Sequence, residues 1–283
     1  MEYRSITKLT DLIDYYDAFF FDIWGVLHEG GALYHNCKEV FNQIAEKKSV
    51  RVISNAPRLA KTTIQSLVGQ GLSIKEEHVI TSGEIARLMM QNPKKYFESE
   101  GLNVYHIKEE RHDEILENID HSEASSPEEA NLILFSAGRS IDQSDTDLIE
   151  IVKRISSLDT KILFTNPDKI VLHNGTLRRC AGHYAEIAKA LGANVMYSGK
   201  PEELIFDVAI KTLESSVKKI LMVGDTLYTD ILGAHQIGID SGLVLTGNMG
   251  ILIKNSKEPD VLVAAEKICK KFGIMPTRIV SMD

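Results

Sequence analysis

The sequence predicts an α/β protein built on parallel sheet, and three observations carry that prediction. Short runs rich in Val, Ile, Leu and Phe recur along the 283 residues, continuous rather than alternating. Strands look like this when both faces of their sheet are covered. Helical patterns separate the runs. Some runs end in Asp or Gly-Asp, as in Phe19-Phe-Phe-Asp22 and Leu221-Met-Val-Gly-Asp225, and open α/β sheets bind ligands at the carboxyl ends of their strands.

In chain order the expected strands are Ala18–Phe21, Val50–Ser54, Val104–Ile107, Leu132–Phe135, Ile162–Thr165, Val195–Tyr197, Ile220–Val223 and Leu243–Thr246. Pro57 can open a helix running toward Gly69–Gly71. Pro201-Glu-Glu opens another, since Pro suits the first helical position and acidic side chains suit the positive end of the dipole. Its apolar stripe is Leu204, Ile205, Val208, Ala209 and Leu213. Between about 91 and 131 the composition turns polar, and His121-Ser-Glu-Ala-Ser-Ser-Pro-Glu-Glu-Ala130 reads as a solvated loop. A polar interruption between two β/α blocks fits one domain inserted into another.

Composition excludes several classes. Hydrophobic residues make up 43% and charged residues 25%, enough apolar content to bury a core. The net charge of −8, with no run of Lys and Arg, leaves no electrostatic footprint for nucleic acid. The N-terminal stretch lacks the apolar region of a signal peptide, and no run approaches the ~18 apolar residues of a membrane span. Cys37, Cys180 and Cys269 are far apart and odd in number, so they suggest neither a disulfide framework nor zinc. The expectation is a cytoplasmic protein with no membrane or nucleic-acid partner.

Chemistry can be assembled from four places. Asp22 ends the Phe-Phe-Phe run in Asp-x-x-Gly and can project a carboxylate into a crevice, or only cap the next turn. Ser54-Asn55, at a strand end before Pro57, can form an anion site or serve as an N-cap. Lys200, between a strand and a helix in Ser198-Gly-Lys-Pro201, can neutralise a phosphate and a carboxylate, or be a surface lysine. Asp225 and Asp230, five residues apart after an apolar strand, suit a hard Mg²⁺ ion.

In that order the four resemble the motifs of the haloacid dehalogenase (HAD) superfamily, in the subclass IIA-like branch with a large α/β cap. Phosphatases acting on pyridoxal phosphate, phosphoglycolate and p-nitrophenyl phosphate belong to that branch. Phe164-Thr-Asn-Pro-Asp168, the stretch Thr229–Gly238 and Leu243-Val-Leu-Thr-Gly247 are similar to further segments of it. The resemblance implies a Rossmann-like core (1–85 plus 190–283) and an inserted α/β cap (86–189) closing over the crevice. It implies a Mg²⁺-dependent phosphatase on a small phosphorylated metabolite, and the homodimer that capped relatives form. Asp22 would be the nucleophile. Ser54 and the N–H of Asn55 would hold phosphate oxygens, with Lys200 beside them. Asp22, the Trp24 carbonyl, Asp225 and Asp230 would hold the metal, and Asn166 and Asp168 would lie at the cap–core seam.

Trp24 departs from the pattern. The second residue after the nucleophile is normally an aspartate that protonates the leaving group and then activates water. Indole can do neither, and a lost general acid costs ~10²–10⁴-fold. Three readings follow. The protein is a phosphatase in which another group, His28 being nearest, or an undemanding leaving group replaces the acid. Or it is a non-phosphatase HAD hydrolase such as a dehalogenase, against which Asp225 and Asp230 argue. Or it is a phospho-ligand-binding protein that has lost catalysis. His106 with His112 lacks a third zinc ligand, and Arg178-Arg179 reads as a solvated basic turn that could also reach a substrate anion.

Overall fold

The computed structural model describes residues 5–283, apart from the side chains of Glu110, Arg111 and Asp113. It contains two parallel sheets. The larger has seven strands in the order Thr7–Lys8, Arg278–Ser281, Asp240–Val244, Ile220–Gly224, Ala18–Phe21, Ser49–Ser54 and Val79–Thr81. Every neighbouring pair in it is parallel. The second has five, in the order Val195–Tyr197, Lys161–Phe164, Leu132–Phe135, Asn103–Ile107 and Ser122–Glu123, again all parallel. A small antiparallel sheet joins Ile170–His173, Thr176–Arg179 and Arg139–Ser140. This is the α/β architecture expected, a parallel core with a smaller unit attached.

The Phe-Phe-Phe run sits mid-sheet and is wholly buried because its side chains serve both faces. Phe19 and Phe21 pack with Phe41, Ile44, Val52 and Val223 on one side. Phe20 packs with Ile53, Met222, Ile205 and Phe206 on the other. Each such ring contributes about 1.5–3 kcal/mol by leaving water. The strand therefore cannot slide by a residue without exchanging its faces. Its last backbone bond, Asp22 N–H to Val223 O at 2.9 Å, pins Asp22 at the carboxyl edge.

The second sheet repeats the logic. Ile133, Phe135, Ile162 and Phe164 face Val152, Ile155, Tyr184 and Ala185. Leu132, Leu134 and Leu163 turn toward the helix Ser82–Met90 and join the layer that also covers Phe20. The two units thus share one continuous apolar layer.

Several expectations need correction. Val195–Tyr197, assigned above to the core half, pairs with Lys161–Phe164 and packs in the second unit's core. The strand expected at Leu243–Thr246 is Asp240–Val244, because Thr246 precedes the helix Gly247–Ser256. The helix expected from Pro57 starts at Ala60. Carboxylates distant in sequence receive its first N–H groups: Glu114 accepts from Leu59 and Glu84 from Ala60, both at 3.0 Å. In the helix after Pro201, which spans Glu203–Lys211, Ile205, Phe206 and Ala209 form the buried face, and Leu213 lies beyond its end. The expected loop at 121–130 contains the edge strand Ser122–Glu123 and the single turn Pro127–Glu129. No described helix is long and apolar enough to cross a membrane.

Candidate active site

The carboxyl edge of the seven-stranded sheet gathers the chemistry. Asp22 follows Ala18–Phe21 and Asp225 follows Ile220–Gly224, two neighbouring strands. Asp230 lies one turn further on, in the π-helical segment Leu227–Ile231. Carboxylate oxygens of the three lie within 4.8 Å of one another, and all three residues are buried.

Lys200 is 1% exposed, and its ammonium is fully engaged. Nζ lies 2.7 Å from Asp22 Oδ1 and 2.7 Å from Asp230 Oδ1, and donates to Ile53 O at 2.8 Å. Asp230 is held from its other side too, Oδ2 accepting from the N–H groups of Asp225 and Thr226 at 3.1 Å each. Asp225 Oδ2 accepts from Asn248 N–H at 2.6 Å, and Oδ1 from the Thr226 hydroxyl at 2.8 Å. Asn248 Nδ2 in turn donates to that hydroxyl. Sequence reasoning missed Asn248, which lies 23 residues beyond Asp225 with no motif to mark it. Glycine makes the tight fit achievable. A Cβ on Gly25 would stand 2.1 Å from Asp225 Oδ2, and one on Gly247 would stand 2.0 Å away. Both have positive φ as well.

Burial holds the Asp22 carboxyl well above the ordinary carboxylate range; Lys200 pulls it down and Asp230 pushes it back up. Asp225 is raised too, by burial first and then by Asp230 and Asp22. Lys200 is raised: its burial opposes charge, but Asp22, Asp230 and Asp168 outweigh that. Three buried carboxylates against one ammonium leave a charge excess that a divalent cation would relieve. The donors are all oxygen, the chemistry of a hard cation such as Mg²⁺.

Ser54 and Asn55 lie at the neighbouring strand end. Ser54 Oγ is buried and accepts from Ala56 N–H at 3.2 Å, which leaves the hydroxyl proton available to a ligand. The helix dipole expected behind it begins later, at Ala60. The Asn55 side chain is directed at Lys200: Oδ1 accepts from Lys200 N–H at 2.7 Å, and Nδ2 donates to Lys200 O at 3.2 Å and to Asp168 Oδ1 at 3.1 Å. Asp168 is thereby brought to the site, its carboxyl pushed up to about 6 chiefly by burial. Asn166 Oδ1 accepts from Asp168 N–H at 3.0 Å.

Trp24 forms a wall of the cleft above. Its ring lies edge-on to His28 at 5.1 Å and tilted on His173 at 5.2 Å. His173 ends a strand of the antiparallel hairpin, and the following Asn174 N–H bonds Glu29 O at 2.9 Å. The cleft, lined also by Arg58, Asn166, Asp168 and Arg178, encloses about 60 Å³. His28 sits behind Trp24, its Nδ1 accepting from Gly30 N–H at 2.8 Å and its pKa lowered to about 4 by burial. That arrangement does not favour His28 as an acid. Arg178 and Arg179 are not a solvated turn: they pair with Glu109 at 3.0 Å and Asp145 at 3.4 Å and line the cleft.

Comparison with known proteins converges on the same reading. Residues 19–122 match the family described as haloacid dehalogenase-like hydrolase, and residues 197–266 match a HAD-hydrolase-like family. The chain is 25% identical over 235 residues to the 5'-nucleotidase YutF of Bacillus subtilis, covering 82% of this chain and 88% of that protein. A possible sugar phosphatase of the HAD superfamily from Cytophaga hutchinsonii superposes with TM-score 0.76 at 26% identity, covering 98% and 97%. A haloacid dehalogenase-like hydrolase from Brucella suis does so with TM-score 0.75 at 28% identity, covering 87% and 91%. The chain has the HAD hydrolase fold and is a hydrolase of the HAD type, broadly phosphatase-like.

Proposed function

We propose that the protein is a Mg²⁺-dependent phosphatase acting on a small phosphorylated metabolite through an aspartyl-phosphate on Asp22, with Trp24 standing where a general acid would. The observation that carries this is the buried group of Asp22, Asp225 and Asp230 around one lysine. With a divalent cation to offset its charge excess, such a set would keep an anionic nucleophile and balance the approach of an anionic phosphate, as phosphoryl transfer requires. Dehalogenation at carbon would need no such cation site. The names of YutF and the Cytophaga protein support the phosphate ester class.

On this reading Asp22, Asp225 and the Trp24 carbonyl would hold the cation, with Asp230, ion-paired with Lys200 and bonded by two N–H groups at Oδ2, reaching it less directly. When bound, the cation would supply charge stabilisation at the transferring phosphoryl group. Asp22 attacks phosphorus, the bond to the leaving oxygen breaks, and that oxygen departs with the electron pair. Water then cleaves the aspartyl-phosphate. Lys200 and Ser54 hold the non-transferring oxygens, together with Asn55 N–H. The inserted unit covers the cleft, which encloses about 60 Å³.

Trp24 itself favours one second reading, a phospho-ligand-binding protein in which the ring seals the site. Phosphate release from p-nitrophenyl phosphate and acetyl phosphate separates the two, since neither leaving group needs a proton. Release that requires Mg²⁺ and is lost in Asp22→Asn supports the phosphatase. No release from protein that binds Mg²⁺ and phosphate supports the binder.

A further inference from the structure

We infer that Asn55 is a positioning residue that fixes the Lys200 ammonium against Asp22, and that Asp168 locks Asn55 in place from the inserted unit. The inference rests on the phosphatase reading above and assigns the Asn55 side chain a role distinct from its backbone N–H.

The Asn55 amide meets the Lys200 backbone as a peptide would, accepting its N–H at 2.7 Å and donating to its carbonyl at 3.2 Å. The second Nδ2 proton goes to Asp168 Oδ1 at 3.1 Å. This leaves no ambiguity in the amide: turned over, its NH₂ would face an N–H, and its oxygen a carbonyl and a carboxylate. Gly199 is what allows the approach, because a Cβ there would stand 2.4 Å from Asn55 Oδ1.

The other end of the lysine is held by the same strand end. Nζ donates to Ile53 O, two residues before Asn55, and lies 2.7 Å from carboxylate oxygens of Asp22 and Asp230. The ammonium has one hydrogen bond, to a carbonyl, and two ion-pair contacts. Lys200 is thus gripped at backbone and tip by residues 53 and 55, and a flexible side chain with four rotatable bonds is left one position. An ångström of error at such a group has a large effect on rate. Asp168 follows the second-unit strand Lys161–Phe164, and the Ser82 hydroxyl lies between Thr165 O and Asn55 O at the same seam, its one proton shared between them. The seam residues Asn166 and Asp168 then act through Lys200 rather than as substrate contacts.

The test uses full-length protein with Mg²⁺ and p-nitrophenyl phosphate. Asn55→Ala is expected to lower kcat by about 10–100-fold in protein whose circular dichroism is unchanged, and to weaken inorganic phosphate binding by calorimetry. In a Lys200→Ala background the further effect of Asn55→Ala on phosphate affinity is expected to vanish, since no ammonium is left to place. Asn55→Asp, which turns a carboxylate toward Asp168, is expected to lose more than Asn55→Ala and to regain part when Asp168→Asn is added. A merely structural Asn55 predicts a lower Tm with unchanged kcat, or the same loss with and without Lys200, and either result overturns the inference. Wild-type protein that neither releases nor binds phosphate overturns the phosphatase reading and this inference with it; active wild type with unaffected variants overturns this inference alone.

Discussion

The Lys200 ammonium lies 2.7 Å from the Asp22 carboxylate, and neither residue is more than 7% exposed. A buried ion pair is weak evidence of stability as a unit, but removing one partner strands the other. Lys200→Ala leaves Asp22, Asp225 and Asp230 without a cation. It is expected to abolish measurable turnover and to destabilise the metal-free protein by about 3–5 kcal/mol. Urea titration with and without Mg²⁺ reads the second effect, and the loss should be smaller when the metal is present. Equal losses in both would mean that the metal does not share the charge of these carboxylates.

The same carboxylates predict how the cation acts on stability. Asp22 and Asp225 are raised chiefly by burial. As pH rises past ~4, the unfolded chain ionises first. The cation-free protein therefore loses stability from there up to the folded-state values. On the proposed reading, Mg²⁺ is expected to bind the ionised carboxylates and to reverse the loss, by about 2.7 kcal/mol at 100 times its Kd. Scanning calorimetry should show a larger Mg²⁺-dependent rise in Tm at pH 8 than at pH 5. A rise independent of pH would place the cation away from these groups.

These four charged residues were legible because each ends a strand or follows one closely, so local pattern and chemistry agree at Asp22, Lys200, Asp225 and Asp230. What was not legible depends on distant partners. The helix expected at Pro57 starts at Ala60 because Glu84 and Glu114 receive its N–H groups. The hairpin Ile170–Arg179 is only partly buried: Ile170-Val-Leu172 is a short apolar run, but its partner strand Thr176-Leu-Arg-Arg179 lacks the continuous apolar signature. Its arginines look solvated until Glu109 and Asp145 are placed beside them. Trp24 was visible as a departure, but its partner His173 lies 149 positions away and no spacing rule connects them.

Trp24 predicts a leaving-group preference and a way to relieve it. With indole at this position, substrates whose leaving oxygen needs a proton should react far more slowly than p-nitrophenyl phosphate. Trp24→Asp restores a carboxyl group there, at the cost of the ring contacts to His28 and His173. The ratio of kcat/KM for an alkyl phosphate to that for p-nitrophenyl phosphate should rise at least ~10-fold, short of the full ~10²–10⁴ ascribed to a general acid because the new carboxyl is not oriented for the task. A ratio is insensitive to the folded fraction, because both substrates meet the same enzyme. An unchanged ratio would mean that the acid is supplied elsewhere or never needed.

His28 is the nearest alternative donor, and its surroundings predict that it serves the fold instead. Burial lowers its pKa to about 4, with His173 and Arg58 adding to the effect, so near neutral pH it is a neutral imidazole, too weak an acid to protonate a leaving oxygen. Its Nδ1 accepts from Gly30 N–H at 2.8 Å and holds the turn behind Trp24. The linkage runs opposite to that of the carboxylates. The unfolded histidine takes up a proton near pH 6.5, so this residue's contribution is complete above that value and is lost as pH falls toward 4. The amide oxygen in His28→Asn can accept the same N–H without titrating. That variant should keep kcat within a few-fold and an unaltered pH–rate profile, while acid unfolding followed by fluorescence moves to lower pH. Loss of one limb of the pH–rate profile, with the acid midpoint unmoved, would instead make His28 the missing acid.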